Sequence, residues 1–76
     1  MSREAEYLVF AAERYRFAKG LDGAQVVELF EKYGVSKFIL ESFELFHIES
    51  DQNMIAAVDE FIERQKAGNV SVAGTR

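Results

Sequence analysis

Seventy-six residues with 49% apolar content, seven Phe, three Tyr and a net charge of −4 describe one small globular domain with a single core, and exclude a disordered chain. With no cysteine there is no disulfide and no thiolate metal site, and a domain this short buries only about 60% of its unfolded surface, so it depends on close packing or on association. No apolar run approaches the ~20 residues that span a bilayer. The start at Ser2, Arg3, Glu4 and Glu6 lacks a signal-peptide pattern, so a cytoplasmic protein with no membrane role is expected.

Five glycines divide the proline-free chain into helix-sized pieces. The first predicted helix runs from Ser2, a candidate N-cap, to Lys19. At about 100° per residue, Tyr7, Leu8, Ala11, Ala12, Tyr15 and Ala18 share one face. Phe10 and Phe17 fall outside the centre of that face.

The second helix is expected from Gly23 to Tyr33. Asp22 and Gln25 form a capping-box start, and Gly34 supplies the left-handed residue that ends it, with Val35 over Phe30. Val26, Val27, Leu29, Phe30 and Tyr33 face inward. The third helix is expected to begin at Ser36 and continue to Leu45 or Phe46, with Ile39, Leu40, Phe43 and Phe46 as its main face. Phe38 and Leu45 point elsewhere, and only Lys37, Glu41 and Glu44 form a solvated stripe, which places this helix in the middle of the packing. The fourth runs from Asp51 to Lys66, capped by Ser50 or Asp51, with Met54, Ile55, Val58, Phe61 and Ile62 inward. Residues 67–76 read as a short tail. The fold class is therefore all-α: a compact bundle of about four helices over residues 1–66, followed by that tail.

Charge is unevenly spread along these elements. Residues 20–63 carry ten carboxylates against Lys32 and Lys37, which repels phosphate backbones and makes nucleic acid an unfavourable partner. The pair of helices around Gly34 has helix-turn-helix spacing, and a small nucleic-acid-associated regulator is the alternative reading. Against it, the outward stripe Lys37, Glu41, Glu44 is poor in groups that contact bases and phosphates.

Chemistry-bearing residues are few. His47 is the single histidine, and the nearest acids, Glu44, Glu49 and Asp51, do not complete a metal set or a general-base site. It is expected to bond a loop carbonyl or cap the third helix. The remaining carboxylates fall on polar helix faces, and no phosphate loop or nucleophile elbow is present. No catalytic residue, metal or cofactor is expected. The informative signal is surplus apolar surface. Phe10, Phe17, Phe38 and Leu45 exceed what one face of each helix must supply, and are expected to bind a protein partner or a second copy in a homodimer. Val70 and Val72 of the tail are the alternative cover.

The stretch EYLVFAAERYRFAKGLDGAQVVELFEKYGV at 6–35, with FELFHIES and AAVDEFIERQK, resembles a bacterial family of small helical proteins of unknown function. The similarity covers about residues 5–66. The Tyr33, Gly34, Val35 block and the Leu45, Phe46, His47 segment are its most specific parts, although family members often carry Leu where this chain has Phe46. The resemblance implies no activity. Genes of the family often neighbour those of ADP-ribosyltransferase-like toxins, which implies an antitoxin-like or adaptor role in a two-gene system.

Overall fold

A computed structural model describes the backbone of residues 2–75 and the side-chain environments of residues 2–68. Among the described residues there are five helices and no strand: α1 (Arg3–Lys19), α2 (Gly23–Tyr33), α3 (Val35–Glu41), α4 (Phe43–Phe46) and α5 (Asp51–Thr75). The helix boundaries follow from local capping. Ser2 Oγ accepts from the Ala5 amide at 3.0 Å. Gly20, at φ 68°, ends α1, and the following Leu21 amide donates back to the Arg16 carbonyl at 2.9 Å. Asp22 and Gln25 form both bonds of the expected capping box: the Gln25 amide donates to Asp22 Oδ1 at 2.8 Å, and the Asp22 amide donates to Gln25 Oε1 at 2.9 Å. Ser50 Oγ accepts from the Asn53 amide and so caps α5.

Two expectations are corrected between Gly34 and Phe46. The third helix does not start with Ser36 as its cap. Gly34, at φ 69°, ends α2 and opens α3 at once, so Val35 is already helical and fully buried. Nor is that helix continuous. Ser42 leaves helical geometry at ψ 12°, and its amide is shared between the Phe38 and Ile39 carbonyls. Beyond the turn Phe43 and Phe46 are both buried, while Leu40, which an unbroken helix would place on the same face, is left 40% exposed. The last helix also runs past Lys66 to Thr75. The expected cover by Val70 and Val72 falls on side chains outside the described residues.

The core lies where α1 and α3 meet each other and are flanked by α2 and α5. Its residues are Ala11 and Tyr15 of α1, Val26 and Phe30 of α2, Val35 and Ile39 of α3, Phe46 of α4, and Met54, Val58 and Ile62 of α5. α3 therefore occupies the interior position expected from its sequence. Tyr15 crosses the core to donate to Asp59 Oδ1 at 2.6 Å, and Lys19 Nζ reaches Oδ2 of the same carboxylate at 3.0 Å. Burial first, and the Asp59 hydrogen bond second, push the Tyr15 hydroxyl pKa well above its ordinary value. Phe43 stands apart from the main cluster, in a smaller group with Tyr7 at 5.7 Å and His47 at 4.7 Å.

Candidate interaction surface

α1 turns Ala11 and Tyr15 into the core, which directs the opposite side of the helix to solvent. On that side Phe17 is 81% exposed, Val9 56% and Phe10 39%. Phe10 is partly covered by the Tyr7 ring, at 5.7 Å between centroids, and by the Arg14 guanidinium 5.3 Å above its ring. Arg14 is held in turn by Asp51 at the start of α5, with Nε 3.0 Å from Oδ2. Glu13 accepts from Arg16 Nη2 at 2.9 Å. The two phenylalanines border a shallow depression that Glu13, Arg14 and Arg16 complete. An aromatic stripe edged by fixed charges suits protein contact, because burial supplies the driving force and the charges supply the register.

The other two residues expected on an interaction surface part company. Phe38 is half-buried within the fold, its ring stacked on Phe61 at 4.2 Å and edge-on to Phe46 at 5.6 Å. Leu45 is exposed on α4, with Ile48 just beyond it at 73% exposure. Val9 and Ile48 are the exposed apolar residues that sequence reasoning passed over. Val9 carries a sequence signal, since it lies about 160° around α1 from Ala11.

His47 lies at the end of α4 with its ring stacked on Phe43 at 13°. Its Nδ1 is 2.8 Å from the Phe43 carbonyl. A carbonyl only accepts, so Nδ1 donates, as a second donor to a carbonyl that also accepts from the His47 amide at 3.0 Å. Among the described residues no group of three His, Cys, Asp or Glu side chains is placed to hold a metal, and no helix is long and apolar enough to cross a membrane. A second shallow depression, between α2 and α5, is lined by Gln25, Glu28, Leu29, Lys32, Tyr33 and Lys66. Both of its lysines sit over the Tyr33 ring, at 5.5 and 5.9 Å.

A family model described as a protein of unknown function, DUF3791, matches residues 6–65. The chain belongs to the DUF3791 family. The match takes in α1 to α4 and the larger part of α5, so the exposed stripe and the His47 turn both lie within the family domain. No curated protein and no solved structure shows a significant match to this chain.

Proposed function

We propose that this DUF3791 chain is a non-enzymatic protein-interaction module that binds through the outer face of α1. The observation that carries the reading is Phe17, four-fifths exposed, with Phe10 and Val9 also exposed, on a helix that buries Ala11 and Tyr15. Burying one phenylalanine contributes about 1.5–3 kcal/mol. A domain this small has little stability in reserve, so leaving such a stripe in water is readily explained by a partner that covers it. Leu45 and Ile48 are further exposed apolar side chains, on α4 and in the turn after it. The proposal extends to an antitoxin-like or adaptor role in the bacterial cytoplasm, next to an ADP-ribosyltransferase-like toxin, and that extension rests on the family resemblance alone.

The regulator reading draws less support. α3 has seven residues, buries Val35 and Ile39, and closes its outward Lys37 onto Glu41 at 4.0 Å. That leaves little to offer a groove.

The test is size-exclusion chromatography with light scattering on the protein alone and coexpressed with its neighbouring gene product. Wild type should form a protein complex in at least one of these, and Phe10→Glu with Phe17→Glu should abolish it with helix content unchanged. A double variant that associates as well as wild type, or a wild type that remains monomeric in both, overturns the proposal.

A further inference from the structure

α1 carries two exposed rows of opposite charge, one on each side of its phenylalanine stripe. At about 100° per residue, Phe10 and Phe17 differ by only about 20° around the helix axis. Glu6 and Glu13 lie to one side of them by a few tens of degrees, and Arg3 and Arg14 lie to the other. All four charged residues are exposed.

We infer that the partner of this face is a second copy of the chain, with the two α1 helices side by side, parallel and in register. The inference rests on the interaction reading above and names its partner. A two-fold axis running along the helices turns the acidic row of each copy toward the basic row of the other. Glu13 then faces Arg14 of the second copy, Glu6 faces Arg3 of the second copy, and the phenylalanines meet across the axis. An antiparallel two-fold keeps each row on its own side, so glutamates meet glutamates and arginines meet arginines. The charge pattern therefore selects self-association and its direction together.

The hydrogen bonds within one copy leave the necessary atoms available. Both bonds from Arg16 to Glu13 fall on Oε1, so Oε2 is open to a second arginine. Arg14 meets Asp51 through Nε, which leaves its two Nη groups to donate. A contact along one 17-residue helix, about 25 Å long, is at the small end of interface sizes, so the dimer is weak and concentration-dependent.

Sedimentation equilibrium from about 10 µM to about 1 mM reads the association directly. Wild type should rise from monomer toward dimer. Glu13→Arg and Arg14→Glu should each weaken association at least about tenfold, since each sets like charges face to face, and an equimolar mixture of the two should recover it. Circular dichroism establishes that each variant is folded. The chain has no cysteine, so Glu4→Cys gives a single nitroxide site whose distance between copies reports direction. A parallel pair keeps the two sites level along the helix axis, whereas an antiparallel pair also displaces them along it by roughly 20 Å, at right angles to the lateral separation. An antiparallel distance, or a mixture no tighter than its components, overturns the inference. So does a wild type that stays monomeric throughout. If that monomer still binds the neighbouring gene product through Phe10 and Phe17, self-pairing fails while the interaction reading stands. If it binds neither, both fail.

Discussion

Ile39→Ala should destabilise this protein more than Phe43→Ala, although it deletes fewer atoms. Ile39 is fully buried on the central α3, with core residues of every longer helix in the same cluster. Removing three carbons there loses about 2–2.5 kcal/mol of transfer free energy at about 0.8 per carbon. Surrounded on all sides, the site cannot collapse, and a residual cavity adds about 1–2 kcal/mol at about 24 cal/mol per Å³. The sum is about 4 kcal/mol. Phe43 is 7% exposed and packs outside the main cluster, against Tyr7, His47 and the Arg3 guanidinium 5.7 Å from its ring. His47 and Arg3 are exposed and free to close over the gap or admit water. An aromatic carbon is worth less than an aliphatic one, and burying a whole phenylalanine contributes about 1.5–3 kcal/mol, so with little cavity left the loss is about 2–3 kcal/mol. At about 0.05–0.15 kcal/mol per residue the whole domain holds roughly 4–11 kcal/mol, so both changes are measurable and the first comes close to unfolding it. Urea denaturation followed by circular dichroism gives the two midpoints at matched slope. A Phe43→Ala midpoint below that of Ile39→Ala refutes the separation of the two clusters.

Alkaline stability should depend on Tyr15. Its folded pKa is raised above the ordinary 10.0, so stability is fully present below about pH 10 and is lost as the pH climbs toward the folded value, at up to about 1.4 kcal/mol per pH unit; Tyr15→Phe should flatten the pH dependence of the urea midpoint above pH 10, and an unchanged slope would count against the buried hydroxyl. Gly34→Ala should cost about 1–2 kcal/mol through its φ of 69° alone, because a Cβ there meets nothing within 4 Å; a thermal midpoint equal to wild type would show that the junction of α2 and α3 relaxes freely. Binding to arbitrary duplex DNA at physiological salt should be negligible, given the acidic 20–63 segment, and sub-micromolar affinity with a steep salt dependence in fluorescence anisotropy would revive the helix-turn-helix alternative.

Where α1 and α2 begin and end was legible in the sequence because capping is local. Asp22 with Gln25, Gly34 after Tyr33, and Ser2 before Arg3 satisfy backbone groups within a few residues of themselves, and each does so in the fold. The central place of α3 was legible too, from its narrow solvated stripe. What the sequence could not decide was which surplus aromatic is covered. Phe38 and Phe17 both stand off the main face of their helices, yet Phe38 finds Phe61 of α5 beside it and Phe17 finds solvent. A side chain's angle around its own helix is set by chain spacing, but what lies in that direction is set by where the other helices dock. Val27 and Leu40 show the same limit in reverse, apolar by pattern and exposed in the fold. The break at Ser42 is also tertiary in origin. Nothing in its immediate neighbours forbids a continuous helix, and an unbroken one would already align Ile39, Phe43 and Phe46; with the turn these three are buried and Leu40 is left exposed.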